Sequence, residues 1–380
     1  MFMKLLMVAA AAAGSLLTGA QSDDVMGAYH AYMAAIEADD LAAAAGHAQE
    51  AYRLGRAEGV DAGTLAALAE NRAQVLEDLG RMAEAAAAYE DLAGIEAESG
   101  ADAARAAELR LRAAGAWRAA GDERNAREQA GQAVFHAGGL PAGSALAFQS
   151  HALLAQLEWD RGRLRQAGDS AKAAVETLHH REPAYASSPA LMAFMAGIGG
   201  LMRRDNPDAA YHFSLASAIG RRLEAETGED DSASVLYGWA IFARSVLSEA
   251  EGLALLERMA ASPYQAALLE DCDSADENGP PTEYEGRDWR DTVRLRNTPP
   301  AYPHEGLRRG LNGVALYVFD VNEQGRTTNI RTLASIPHPM FGPPGEEAIR
   351  QWRYDPATVD GQPVEKRDVF TSFNFMIDNR

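Results

Sequence analysis

The sequence predicts a mainly α-helical repeat solenoid followed by a small α+β domain with a three-stranded antiparallel sheet. Three observations support this prediction. Small residues recur about every 41 positions through the first half of the chain, a fixed period typical of stacked helical hairpins. Runs of alternating, β-branched and aromatic residues in the last ninety or so positions favour strands. An acidic segment ending in Gly-Pro-Pro separates the two regions, so we expect two domains.

The first twenty residues have the pattern of an export signal. Lys4 precedes an apolar run, residues 5–17, and the small residues Thr18-Gly19-Ala20 come just before Gln21. This run is shorter than the roughly 20 residues that a membrane-spanning helix needs. We therefore expect a cleaved signal peptide, residues 1–20, with an uncleaved membrane anchor as the alternative.

The predicted helical array spans residues 21–265. A Gly or Asp recurs where one helix should turn into the next, and an alanine follows each of them after five residues, where the second helix should pack closely on the first. Ala114 and Ala155, each seven residues before a turn glycine, mark the matching contact on the first helix. We expect residues 236–259 to form a last hairpin. The turn residues are Asp39, Gly80, Gly121, Gly162 and Asp205, and the alanines are Ala44, Ala85, Ala126, Ala167 and Ala210.

This spacing resembles that of tetratricopeptide (TPR) repeats with lengthened helices, and HEAT-like repeats of similar length are the alternative. Such arrays present a groove that can hold a peptide or a protein partner. A solenoid can equally serve as a spacer. The sequence leaves both roles open.

Residues 266–293 are predicted to be an acidic linker. The stretch Glu270–Pro281 combines carboxylates with Gly and Pro and contains few apolar residues. Its carboxylates lack the fixed spacing and the central glycine of an EF-hand, so we expect no calcium site there. Cys272 is the single cysteine of the chain and cannot form an internal disulfide.

The last domain, residues 294–380, shows the elements of a small sheet with one helix. Val314–Val321 is apolar on both faces, which suits a strand covered on both sides. Asn322–Gly325 is its turn and Arg326–Ile336 the second strand, so the two form a hairpin. Pro343-Pro344 can open a helix. Val369–Ile377 alternates as a third strand, which we expect at a sheet edge.

Several spaced motifs of this domain resemble the C-terminal domain of TonB, a periplasmic protein that binds outer-membrane receptors. They include Tyr302-Pro303, Gly313-Val314 and Trp352-Arg353-Tyr354, in the same order as in that family. In TonB proteins the segment around Tyr-Pro and the last strand receive the receptor's extended TonB box by strand addition. The resemblance implies that the partner-binding residues are Thr298, Pro299, Pro300, Ala301, Tyr302, Pro303, Val369, Thr371, Phe373 and Phe375. Trp352 and Phe373 are at the same time expected in the core, because large aromatic side chains dominate the burial of small domains.

The resemblance covers only the last ninety or so residues. TonB proteins also have an N-terminal membrane helix that contacts the ExbB–ExbD complex and a proline-rich spacer, and neither pattern is found here. We therefore expect a periplasmic protein that binds an outer-membrane TonB-dependent receptor, or a similar extended peptide, without direct contact with ExbB–ExbD. The alternative is an inner-membrane anchor that leaves the domains facing the periplasm.

Charge and motifs argue against nucleic-acid binding and catalysis. The chain carries a net charge of −20, and residues 294–380 hold eleven Arg plus Lys against ten Asp plus Glu, so the acidic excess lies in the first part. Nucleic-acid binding demands a basic surface. Hydrolase and nucleotide-binding motifs are missing, and Gly197-Ile198-Gly199-Gly200 follows no predicted strand. His179 and His180 could offer metal ligands together with Glu182. Adjacent histidines, however, point in different directions on a helix. We expect no enzyme, cofactor or metal site.

Two functions remain from the sequence. The first is a non-enzymatic module that binds a receptor's TonB box and supports transport across the cell envelope. The second is an envelope scaffold whose helical array holds a protein partner while the last domain only docks or dimerises.

Overall fold

The structure is a computed structural model that describes residues 23–177, 188–227, 239–240, 243, 247–260, 284, 286–336 and 338–377. The predicted signal peptide, the pair His179-His180, Cys272 and most of the predicted linker lie outside these residues. Within them, we find no helix with the length and hydropathy needed to cross a membrane. The chain divides into two compact units, one ending at Leu157 and one beginning at Glu158, and each is described by itself.

Long helices fill the first unit and the first part of the second, and short turns join the first eight of them. Their bounds are α1 Asp23–Glu37, α2 Leu41–Glu58, α3 Ala62–Asp78, α4 Met82–Glu98, α5 Ala103–Ala119, α6 Glu123–Ala137, α7 Ala145–Asp160, α8 Leu164–Thr177, α9 Ser188–Arg203, α10 Asn206–Thr227 and α11 Glu249–Ala260. Consecutive helices pack against each other from α1 to α6 and again from α8 to α11, as the repeat pattern predicts.

The predicted turn residues lie where the helices reverse. Asp39, Gly80, Gly121 and Gly162 all have a positive φ, between 56° and 81°, a conformation that glycine adopts readily. The fifth turn differs from the prediction, because Arg204, with φ of 61°, has the left-handed conformation instead of Asp205. Asp205 accepts the backbone N–H of Asp208 at 3.1 Å and so caps α10.

Small residues let the helices approach closely. Ala44, Ala85, Ala126 and Ala167 are completely buried, as predicted. The glycine run in α9 has the same role, since a Cβ on Gly168 of α8 would lie 2.4 Å from the Cα of Gly199. Gly197 to Gly200 therefore form a helix contact and not a phosphate-binding loop.

The C-terminal domain contains a three-stranded antiparallel sheet built from β3 Gly313–Val321, β4 Thr327–Ile336 and β8 Lys366–Phe375, in the order β4-β3-β8. The central strand, β3, is buried along all nine residues, as expected for a strand covered on both sides. A helix, α13 Gly342–Arg350, follows the hairpin, and a short helix, α12 His304–Arg309, precedes it.

Five short strands accompany the sheet and were not predicted. They are β1 Trp289–Arg290, β2 Val293–Arg296, β5 Arg353–Asp355, β6 Ala357–Val359 and β7 Gln362–Val364. β2 pairs with β5, and β6 pairs with both β1 and β7. Paired structure thus begins at Trp289, inside the last part of the predicted linker 266–293.

Both faces of the sheet are covered within the second unit. On one face Tyr317 and Phe319 pack with Phe341, Ile349 and Trp352 in an aromatic core. On the other face Val314 and Leu316 pack with helix residues of the array. Those helix residues include Leu201, Met202, Phe213 and Trp239.

Candidate peptide-binding site

The sheet has two edges, and they differ in regularity. β4 shifts register against β3 at two places, between Leu316 and Tyr317 and between Val318 and Asp320. β8 shifts only near its start, opposite Phe319 to Val321, and then pairs without interruption from Val369 to Phe375. Bulges disrupt the backbone pattern that an added strand must match. The regular edge of the sheet is therefore β8, which confirms that the last strand lies at an edge.

The hairpin determines which backbone groups of β8 face outward. Asn322 donates its N–H to Arg326 O at 3.0 Å, so even-numbered residues of β3 face β4 and odd-numbered ones face β8. Since Tyr317 pairs with Thr371 and Ala315 with Phe373, Thr371 and Phe373 use their backbone groups inside the sheet. The residues between them face outward with N–H and C=O. These residues are Phe370, Ser372 and Asn374.

A second hydrogen bond gives the same result. Ile377 donates its N–H to Asn312 Oδ1 at 2.8 Å, and Asn312 lies directly before β3. Odd-numbered N–H groups at this end of β8 thus point into the sheet, so the even-numbered ones point out. Among the strands that the structure describes, none pairs with β8 on its outer side.

The side chains predicted on β8 belong mostly to the core. Val369, Phe373 and Phe375 pack into the aromatic core, and Thr371 is buried on the same face. Phe373 lies against Trp352, with ring centroids 5.6 Å apart. Both side chains thus pack in the core, as the sequence suggests. These four residues hold the strand in place, while no other described strand pairs with its outward backbone groups.

The predicted segment 298–303 lies against the same core. Trp352 Nε1 donates to Thr298 O at 3.0 Å, and the Tyr302 ring packs edge-on against Phe375 with centroids 5.8 Å apart. The Tyr302 hydroxyl donates to Leu311 O at 2.7 Å, and burial raises the pKa of Tyr302, so it stays a neutral donor. The structure thus places segment 298–303 next to β8, so the two parts of the predicted binding site lie together. Exposure alternates along the segment. Thr298, Pro300, Tyr302 and Pro303 are half-buried, whereas Pro299 and Ala301 are exposed.

Comparison with known proteins bears on this domain. Residues 298–376 match the family model of the C-terminal domain of the Gram-negative bacterial TonB protein. These residues form a TonB-type C-terminal domain. The chain is 33% identical to the TonB protein of Pseudomonas aeruginosa over 90 residues, which are 24% of this chain and 26% of that protein. It is 34% identical to TonB of Escherichia coli over 62 residues, 16% of this chain and 26% of that protein.

The chain spans only about a quarter to a third of the length of the curated relatives that it matches. Among solved structures, the TonB C-terminal domain of Pseudomonas aeruginosa is 34% identical, with 24% of this chain and 90% of that chain covered and a TM-score of 0.22. TPR-like repeats of a putative kinesin light chain from Podosopora anserina are 18% identical, with 53% and 95% covered and a TM-score of 0.35.

The TonB-type domain has one further neighbour at its free edge. The Asn374 side-chain amide lies 3.4 Å from Leu201 O, at the end of helix α9. Met376, just beyond β8, packs among the helices that cover that face of the sheet. The outward end of β8 therefore lies beside the last part of the helical array.

In the first unit the array has a shallow depression of about 390 Å³ between α3 and the end of α4. Small residues such as Ala62 and Ala66 line it, together with Glu70 and Glu96. Both carboxylates are paired with Arg105 at 3.0 Å. One guanidinium, which also pairs with Glu108, thus offsets only part of the negative charge of the depression. Within the described residues, no cluster of metal-ligating side chains is found.

Proposed function

We propose that this protein binds an extended peptide by strand addition at the outer edge of β8. The observation that carries the proposal is the uninterrupted edge from Val369 to Phe375, with the backbone groups of Phe370, Ser372 and Asn374 facing outward. Main-chain hydrogen bonds give such a complex its affinity. The bulged edge at β4 offers no comparable run.

The partner in this proposal is the TonB box of an outer-membrane TonB-dependent receptor, met in the periplasm after cleavage of residues 1–20. The TonB-type domain supports this choice, because TonB proteins are transport-associated and not enzymes. The binding residues in the proposal are the segment from Thr298 to Pro303 and the strand from Val369 to Phe375.

The test is calorimetry of residues 21–380 with a TonB-box peptide, for the wild type and for Ser372→Pro. Proline at Ser372 removes one outward N–H but no bond inside the sheet, so the fold should persist and the peptide affinity should fall at least about tenfold. Circular dichroism serves as the folding control. Wild-type chain that binds no TonB-box peptide, or folded Ser372→Pro that binds as well as wild type, contradicts the proposal.

The same variant separates the scaffold alternative from strand addition. If the array holds an envelope partner by itself, full-length Ser372→Pro should capture that partner from periplasmic extract as well as the wild type does. If capture depends on β8, the variant should lose it. The depression lined by Ala62, Ala66 and Glu70 is the array surface to substitute next in the first case.

A further inference from the structure

The end of the binding edge lies beside a helix terminus that carries arginines. Asn374 on β8 lies 3.4 Å from Leu201 O, and Arg165 of α8 donates to the next carbonyl, Met202 O, at 3.3 Å. Two neighbouring carbonyls of α9 thus contact the edge strand and Arg165. This places the Arg165 guanidinium close to the outward end of β8.

Arg165 and Arg204 differ from the other arginines around them. Arg163 pairs with Glu158, and Arg203 pairs with Asp169 and Asp208. Arg165 and Arg204 are exposed, and neither has a carboxylate partner among the residues that the structure describes. The array as a whole is strongly acidic. Two guanidinium groups at this helix end, next to the Asp205 carboxylate that caps α10, are therefore not paired with a carboxylate among the described residues.

The C-terminal end of α9 explains only part of the position of Arg165. Cations near a helix C-terminus are favoured by the dipole, and Arg165 satisfies one carbonyl of α9. A guanidinium has five N–H donors, so most of those on Arg165 remain for another acceptor. A carboxylate is the acceptor that fits them best, because it can bond two parallel N–H groups.

We propose that the helical array forms a second wall of the peptide site, in which Arg165, assisted by Arg204, binds an Asp or Glu of the added strand. This inference rests on the proposed function. A strand added to β8 lies about 4.8 Å beyond it, within reach of a long arginine side chain. The acidic residue belongs at the end of the peptide that runs beside Asn374. The array thus selects among extended peptides that the sheet edge alone would accept.

The test compares peptides that differ by one charge. Calorimetry of residues 21–380 would use a TonB-box peptide with Asp placed at each position in turn, and the same peptides with Asn. At one terminal position wild type should prefer Asp about two- to fivefold, a range typical of an exposed ion pair. Arg165→Glu should abolish this preference and favour Lys at the same position. Added salt should reduce the wild-type preference.

Arg161→Glu is the matched control, because Arg161 is exposed in the same helical hairpin and its substitution changes the charge by the same amount. It should keep the wild-type preference. Equal binding of every Asp and Asn pair by the wild type overturns the inference, as does an Arg165→Glu variant that behaves like Arg161→Glu. In both cases peptide binding itself would stand. Failure of the wild type to bind any peptide would instead reject the proposed function, and this inference with it.

Discussion

His212 on α10 is a buried histidine whose charge state affects stability. Its Nδ1 lies 2.8 Å from Asp208 O, and the Asp208 carboxylate is surrounded by Lys172, Arg203 and Arg258. Burial lowers the pKa of His212 to about 4 from its ordinary 6.5, although the negative Asp208 opposes that shift. The positive side chains around Asp208 favour the neutral ring further. His212 is therefore uncharged in the folded protein at neutral pH.

We predict that this histidine makes the protein less stable in mild acid. The unfolded chain takes up a proton below about pH 6.5 that the folded chain refuses until about pH 4, so the free energy of unfolding falls across that window, by at most about 3 kcal/mol. Urea unfolding at pH 7, 6 and 5 measures the slope. His212→Gln should flatten it, whereas the exposed His30→Gln should not. The same slope in His212→Gln and wild type would refute this.

Single residues also show how far the sequence predicts the site. Trp352 and Phe373 were expected in the core, and their rings do pack together there. The spacing of the motifs could not show that the Tyr302 hydroxyl donates a hydrogen bond to Leu311 O. Nor could it identify Ser372 as a residue whose backbone N–H faces outward, because the direction of an N–H group depends on strand pairing and not on side-chain type. Nor could it relate Arg165 to Asn374, because the two residues are distant in sequence and reach neighbouring carbonyls of α9 only in the fold.

At the scale of elements, neighbouring residues of β8 have opposite roles. Thr371 uses its backbone N–H inside the sheet opposite Tyr317, whereas that of Ser372 faces outward. We predict that Thr371→Pro lowers the free energy of unfolding by about 1–3 kcal/mol, because it removes a ladder hydrogen bond and leaves a buried carbonyl of β3 without its donor. Thermal unfolding followed by circular dichroism compares it with Ser372→Pro. A Thr371→Pro variant as stable as Ser372→Pro would show that the inward and outward backbone groups of β8 are assigned wrongly.

The elements themselves were predicted well where local chemistry decides them. The turn Asn322–Gly325 and the strands on either side follow from the hairpin pattern, and α13 begins within one residue of the double proline. The repeat turns follow from their glycines, apart from the shift from Asp205 to Arg204. The short strands β1 and β2 could not be predicted, because two to four residues carry too little pattern. The bulges of β4 depend on its pairing with β3 and leave no mark in the sequence.

For the whole molecule, the covered sheet links the TonB-type domain to the helices of the second unit. Val314 and Leu316 are buried against those helices, and Leu333 and Ile336 pack there too. Buried apolar area contributes roughly 25 cal/mol per Å². The domain therefore draws part of its stability from helices outside the region that matches TonB.

We predict that residues 286–380 alone are less stable than residues 158–380. The shorter chain exposes the apolar face of the sheet and should self-associate, as analytical ultracentrifugation would show. Leu316→Thr should lower the stability of the longer chain, where the side chain is buried, but reduce self-association of the shorter one. A shorter chain that is monomeric and equally stable would contradict this dependence.

The position of the bulge in β8 has a consequence for solubility. An open sheet edge invites other chains to pair with it and can template aggregation. Here Lys366, Arg367 and Asp368 bring charge to the start of the strand, and the register shift there ends the regular pairing. Two copies of the chain can thus meet edge to edge over only seven residues, and β4 offers them no second regular edge. A peptide bound at β8 would occupy that stretch, so peptide binding and self-pairing compete for the same seven residues.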